Sequence, residues 1–241
     1  MTGRIDVHAH LLPGIDDGCA TLEESIACCR MLASAGYAHA FCTPHIWPNY
    51  PENDIAGIAR RTAELQTHLT QAGVKLQLHP GGELNLRPES FNTPDEEIVT
   101  YALNGKFVLA DFWAETLPDF FEPLVRRYQS LGLKVVLAHP ERVRAVQLDP
   151  PIIEKFLEMD LLLQGNLQCF SDPINSLNRR TVERFLLEER YFLLGSDTHN
   201  PQTLPMRLGG LSRAIEMVGL EAVGQLTITN PRHLLPKSAF D

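Results

Sequence analysis

The feature that most constrains how this chain can fold is an alternation sustained over all 241 residues: short apolar strands and amphipathic helical stretches succeed one another seven times. The apolar runs predict strands at 3–8, 38–43, 75–79, 106–111, 133–138, 160–165 and 191–195. Helical periodicity predicts helices at 22–35, 53–73, 94–103, 118–131, 149–158, 173–188 and 205–218. Gly36, Gly73, Gly105 and Gly132 each follow a predicted helix, where a left-handed residue closes the last turn. Strands that alternate with helices predict a parallel sheet with helices packed on it, because a parallel neighbour is reached only by a crossover. No Pro- or Ser-rich linker, repeat or low-complexity tract divides the chain, and residues 1–241 read as one α/β domain.

Parallel βα folds carry their active sites at the carboxyl ends of the strands, and ligand-type side chains gather there in this sequence. His8 and His10 end the first strand, and Asp17 follows in its loop, within Asp16-Asp17-Gly18. His45 follows the second strand, Glu83 the third, and Asp111 ends the fourth. His139 follows the fifth strand, and Asp197 and His199 follow the seventh. Residues i and i+2 of a strand face the same way, so each terminal strand presents a pair able to reach one ion. For those pairs to share ions the sheet must curl until its ends approach. This predicts a single-domain, distorted (β/α)7 barrel with a metal site at the carboxyl ends of its strands. His39 lies within the second strand, His68 on a helix face, His79 before Pro80 in the turn of the third strand and His233 near the C-terminus, and all four are expected not to be ligands.

Five imidazoles and four carboxylates, with no thiolate at any strand end, exclude a structural cysteine-type zinc site and suit Mn, Fe or Zn. The five cysteines, Cys19, Cys28, Cys29, Cys42 and Cys169, form an odd set without a Cys-x-x-Cys pair, so free thiols in a reducing cytoplasm are expected. A formal net charge of −9 argues against nucleic acid and anionic membranes as partners. Met1-Thr2-Gly3-Arg4 leads straight into the first strand without the regions of a signal peptide, and no apolar run approaches the length of a membrane span.

The segments Asp6-x-His8-x-His10, Pro13-Gly14-x-Asp16-Asp17-Gly18, Thr43-Pro44-His45, Gly82-Glu83, His139-Pro140-Glu141-Arg142 and Gly195-Ser196-Asp197-x-His199-Asn200 occur in this order over nearly the whole chain. Together they resemble the polymerase and histidinol phosphatase (PHP) domain family. The resemblance is strongest to its bacterial branch of manganese-dependent protein-tyrosine phosphatases associated with capsule and exopolysaccharide loci. It implies two or three divalent ions, Mn first and Fe or Zn as substitutes, held by His8, His10, Asp17, His45, Glu83, Asp111, His139, Asp197 and His199. It also implies a phosphotyrosine protein as substrate, with a tyrosine kinase of polysaccharide export as the partner class. Asp111 departs from the branch, which usually has a glutamate there. The shorter side chain withdraws its oxygens and makes the third ion the least firmly held, with Glu115 as a substitute carboxylate.

Adjacent divalent ions make hydrolysis of a phosphate monoester the economical reaction, because an ion-bound water is deprotonated near neutral pH while the ions neutralise phosphoryl oxygens. No protein nucleophile is needed, and Cys169-Phe170-Ser171-Asp172 does not open a Cys-x5-Arg phosphatase loop. Arg142 is the candidate phosphate-binding guanidinium, since its planar fork matches phosphoryl oxygens. Arg207 resembles a second substrate arginine of the branch, and Asp197 and His199 are also candidates for proton transfer to the leaving oxygen. Trp47 and Tyr50, after His45, either line an aryl pocket or pin a Pro-rich loop. Competing readings are a histidinol-phosphatase-like or nucleotide-directed phosphoesterase, a metal-binding module without turnover, and an amidohydrolase. The last needs an eighth strand and usually a lysine ending the fourth, whereas Lys106 precedes that strand.

Overall fold

The computed structural model describes residues 3–236 and residue 239; Met1 and Thr2, which open the predicted leaderless start, lie outside them. Its strands are β1 (Arg4–Asp6), β2 (Tyr37–Cys42), β3 (His45–Ile46), β4 (Gln77–Pro80), β5 (Glu83–Asn85), β6 (Phe107–Asp111), β7 (Lys134–Ala138), β8 (Leu162–Asn166) and β9 (Leu193–Gly195). All seven predicted strands are represented, and the short β3 and β5 are additions. Every pairing is parallel, in two sheets of order β1-β2-β4 and β3-β5-β6-β7-β8-β9.

The chain crosses from the first sheet to the second twice, between β2 and β3 and between β4 and β5. Both crossings have a chemical cause. Pro44 has no N–H to give to a ladder, and Gly81-Gly82 breaks the other strand. A side chain on Gly82 would come within 2.8 Å of Ile46. The outer strands of the two sheets also meet: Ala9 bridges Thr198, the His10 N–H donates to the Thr198 carbonyl at 2.7 Å, and the Asp197 N–H donates to the His8 carbonyl at 2.7 Å.

The helices are α1 (Leu22–Ser34), α2 (Ile55–Gln71), α3 (Phe121–Ser130), α4 (Arg144–Leu148), α5 (Ile152–Glu158), α6 (Leu167–Ser171), α7 (Leu177–Leu187) and α8 (Leu204–Gly224). Their starts follow from short oxygen-bearing side chains. Thr21 accepts from the Glu24 N–H while Glu24 accepts from the Ala20 N–H, and Asp54 accepts from the Gly57 N–H. One predicted helix is absent. Residues 94–103 form only two 3₁₀ turns, Asp95–Glu97 and Tyr101–Leu103, with Ala102 and Leu103 at positive φ. The reason is that Ile98, Val99 and Tyr101 are buried as a near-continuous run, and the Tyr101 hydroxyl reaches through to donate to the Val7 carbonyl at 2.9 Å.

Two apolar clusters result. The larger lies between strands and helices, with Leu32, Ile58, Leu124, Phe156 and Phe185 among its buried members. The smaller joins Ile5, Val7, Phe41, Tyr101, Leu109, Val136 and Leu193, drawn from both sheets, and supports the strand ends that carry the site. Among the described residues, no helix is long and apolar enough to cross a membrane. All five cysteines are buried and free, as their spacing led us to expect.

Candidate metal centre

The strand ends bring eight of the nine predicted ligands into three overlapping groups: His10, Asp17, His45 and His199; His8, His10 and Asp197; and His8, Glu83 and His139. Within each group, one possible ligand atom per residue lies within 4.8 Å of the others. His8 and His10, two apart after β1, are each shared between groups, as the alternation of strand side chains allows. The turn carrying Asp17 packs directly on this pair. A side chain on Gly18 would meet the His10 carbonyl at 2.3 Å, so only glycine lets the turn close. His139 and Asp197 both adopt left-handed backbone, φ 33° and 53°, a conformation that costs a non-glycine residue about 1–3 kcal/mol. Of the eight converging residues, His139 and Asp197 are the two that carry this cost.

The hydrogen bonds fix which nitrogens face the centre. His8 Nδ1 lies 2.9 Å from Gln164 Oε1, whose Nε2 donates to the Gly165 carbonyl, and His10 Nδ1 lies 2.7 Å from Asp16 Oδ2. Both Nδ1 atoms therefore carry the proton in the neutral rings, and both Nε2 atoms present lone pairs. Those two Nε2 atoms are 3.2 Å apart. Facing lone pairs at that separation repel unless positive charge lies with them, so the donor set fits a cation. The buried Glu83 Oε2, His45 Nδ1 and His139 Nδ1 have no hydrogen-bond partner, although His45 Nδ1 and Glu83 Oε2 stand 2.9 Å apart.

The electrostatics make the same demand. Burial disfavours an imidazolium at His10, yet Asp16, Asp197 and Glu83 outweigh it and hold its pKa well above the usual histidine value. At His8 the carboxylates of Glu83 and Asp197 overcome burial in the same way. Burial also opposes charge on His45, but Asp17 and Glu83 push its pKa up to about 9. Glu83 and Asp197 sit well below the carboxylate range despite full burial, because imidazoles surround them. His139 is the exception, lowered by burial.

Asp111 stands apart from all three groups. Its Oδ1 accepts from Asn85 Nδ2 at 3.0 Å and its Oδ2 from Trp113 Nε1 at 2.7 Å, and burial followed by the like charge of Glu83 pushes its pKa up to about 7. Glu115 is exposed. Arg142 Nη1 donates to Asp197 Oδ2 at 2.9 Å, and the buried Arg207 donates to the Ser196 carbonyl at 2.9 Å. Both guanidiniums line a cleft of about 330 Å³ together with Asp17, His45, Glu83, His139 and His199. Asp6 belongs to none of the three groups; it accepts from the Ser196 N–H and hydroxyl and ties β1 to the end of β9.

Sequence reasoning missed the supporting residues of β8, the one predicted strand that ended without a ligand. Gln164 fixes His8, and Asn166 Nδ2 donates to Asp197 Oδ2 at 2.7 Å. The available signal was their i, i+2 spacing on an otherwise apolar strand. Asp16 was visible as half of an unusual diacid turn; its place behind His10, with a second hydrogen bond from the His45 N–H at 3.1 Å, required the fold.

A parallel α/β fold whose strand ends gather histidines and carboxylates into groups able to hold metal ions defines the class of this protein. The sequence matches the capsular polysaccharide synthesis family CpsB/CapC over residues 4–236, and the chain belongs to that family. It is 27% identical over 203 residues to the tyrosine-protein phosphatase YwqE of Bacillus subtilis, covering 83% of this chain and 78% of that protein. It is 26% identical over 242 residues to the tyrosine-protein phosphatase CpsB of Streptococcus agalactiae, covering 96% and 98%. A solved structure, described as YwqE from Bacillus subtilis and CpsB from Streptococcus pneumoniae, unique metal-dependent tyrosine phosphatases, has the same fold with a TM-score of 0.85. Its identity is 24%, and 96% of this chain and 93% of that one are covered. A lactonase from Listeria monocytogenes, Lmo2620, shares the fold more distantly, with a TM-score of 0.57 at 12% identity over 98% and 95% of the two chains.

Proposed function

We propose that this protein is a metal-dependent phosphomonoesterase that removes phosphate from phosphotyrosine in a protein substrate, a tyrosine kinase of polysaccharide export being the partner class. The observation that carries the reading is the pair of facing His8 and His10 lone pairs inside a cage of carboxylates, in a chain of the CpsB/CapC family whose relatives are named tyrosine-protein phosphatases. We read residues 1–241 as one domain of the PHP type and the two sheets as one distorted (β/α)7 barrel. The continuity of β2 into β3 and β4 into β5, and the contact of Ala9 with Thr198, support this.

His8, His10, Asp17, His45, Glu83, His139, Asp197 and His199 are the proposed ligands of two or three divalent ions, Mn first among them. Such ions, when bound, supply a water of lowered pKa and neutralise charge on phosphoryl oxygens. The protein's own groups do the remaining work. Arg142, about one-third exposed, keeps one nitrogen on Asp197 and has others free to take a phosphoryl oxygen. Arg207 lies 3.5 Å from Asp197 Oδ2 and adds positive charge at the floor of the cleft. Asp197, held ionised by its imidazoles, orients Arg142 and is not a proton donor at neutral pH. His199 Nδ1 lies 2.8 Å from the Asp197 carbonyl, so Nδ1 keeps the proton and Nε2 turns its lone pair toward the centre. A tyrosyl leaving group, with a pKa of about 10, departs with less protonation than an aliphatic alcohol needs. Cys169 is buried and its thiol is pushed well up by that burial, which removes it as a nucleophile.

The test is turnover by the purified full chain, with and without added Mn, on phosphotyrosine peptides, p-nitrophenyl phosphate, phosphoserine peptides, histidinol phosphate and short oligonucleotides. Mn-stimulated hydrolysis favouring the two aryl esters is expected. Preference for histidinol phosphate or oligonucleotides, or no stimulation by Mn, would sink the tyrosine-phosphatase reading.

A further inference from the structure

Two indoles stand over the ligand groups, one on each side of Glu83. His45 Nδ1 approaches Glu83 Oε2 at 2.9 Å and His139 Nε2 approaches Oε1 at 3.0 Å, so the two imidazoles flank the carboxylate. Trp47 stacks on His45 with ring centroids 4.1 Å apart and planes inclined by 27°. Trp113 lies against His139 with centroids 5.8 Å apart and planes inclined by 36°. Both indoles line the same cleft, and every other side chain lining it is charged or polar.

Trp113 is 53% exposed, yet its ring is fixed at three points. Its Nε1–H donates to Asp111 Oδ2 at 2.7 Å, the Arg142 guanidinium carbon lies 5.2 Å from its centroid, and His139 supports its edge of the cleft. Asp111 is itself anchored, because Asn85 occupies its other oxygen. An exposed indole held this firmly at the mouth of a polar cleft offers an apolar face to whatever enters.

We propose that Trp47 and Trp113 are the walls of a slot that admits the planar ring of an aryl phosphate, and that Asp111 is a positioning residue for Trp113 and not an ion ligand. The inference rests on the phosphatase reading and sharpens it: the polar floor takes the phosphoryl group, and the two indoles select the ring that carries it. An alkyl phosphate meets the same floor but leaves the walls unfilled.

The test uses the Mn-loaded full chain and two inert probes, phenylphosphonate and methylphosphonate, with binding measured by calorimetry. An aromatic contact of the usual strength gives the phenyl probe an advantage of about tenfold in the unmodified protein. Trp113→Ala, at an exposed site that the fold tolerates, is expected to cut that ratio to about twofold or less. Asp111→Ala should lower the same ratio while elemental analysis finds the same metal content per chain as in the unmodified protein. A ratio preserved in Trp113→Ala overturns the slot, and loss of one metal equivalent in Asp111→Ala overturns the positioning role. An unmodified protein that binds neither probe and does not hydrolyse p-nitrophenyl phosphate with Mn would fail the phosphatase reading instead, a separable result.

Discussion

Two sets of buried histidines sit on these strands and behave in opposite ways. At the carboxyl ends, His8, His10 and His45 lie among Glu83, Asp17, Asp16 and Asp197, and their pKa values are raised against the effect of burial. Nearer the start of β2 and on β4, His39 and His79 stack at 5.1 Å and share one hydrogen bond, Nδ1 to Nε2, at 2.9 Å. Phe41 is the neighbouring ring, and among the described residues neither His39 nor His79 makes an ion pair. Burial lowers His39, and burial with the proximity of His39 pushes His79 down to about 4. The neutral pair joins one Nδ1 to one Nε2 as donor and acceptor, whereas His8 and His10 face each other through both Nε2 atoms with their Nδ1 atoms already on Gln164 and Asp16. Burial is therefore common to both sets, and carboxylates decide which one calls for a cation.

The largest expected effect tests the cationic set. His139→Ala should lower Mn-dependent kcat/KM on a phosphotyrosine peptide by more than about a hundredfold, because losing a ligand exceeds the loss from losing a ligand's partner. Its circular dichroism spectrum should remain native; full turnover would place the site elsewhere.

Next comes the neutral pair, where the sign of the pH dependence is the readout. His79 has a folded pKa below its unfolded one, so the unfolded chain binds the extra proton between about pH 6.5 and 4. Its contribution is complete above that window and is lost as pH falls through it, amounting to about 3 kcal/mol. In urea titrations, His79→Gln should flatten the acid limb of stability between those limits. An unchanged limb would show that the pair is not held neutral.

The smallest effect concerns Asp16, which belongs to none of the three ligand groups but accepts a hydrogen bond from His10 Nδ1. Asp16→Ala should weaken Mn binding by about tenfold, as removal of such partners commonly does. Competition against a chelator of known affinity measures this directly, and unaltered affinity would separate Asp16 from the centre.

Legibility followed the range of the forces involved. Strand and helix positions were readable because period and turn chemistry act over a few residues; α1 and α2 begin at Thr21 and Asp54 as side-chain capping requires. The stretch 94–103 misled because its composition allows a helix, and only the contact of Tyr101 with Val7, ninety-four residues away in sequence, sets it otherwise. Ligand types at strand ends were likewise visible as a list of positions. Asp111 is on that list too, and nothing local reveals that Trp113 and Asn85 donate hydrogen bonds to its oxygens.

The sequence by itself determined the alternation, the strand-end placement of histidines and carboxylates, and the absence of a cysteine nucleophile loop, since each depends on residue type and spacing alone. Only the tertiary structure decided how those residues are charged and partnered. It brought Gln164 and Asp16 behind His8 and His10, so that their lone pairs face one another, and it gave His39 and His79 each other instead of a carboxylate. The physical reason is that a pKa and a hydrogen bond depend on neighbours within a few ångströms, and those neighbours come from strands far apart in the chain.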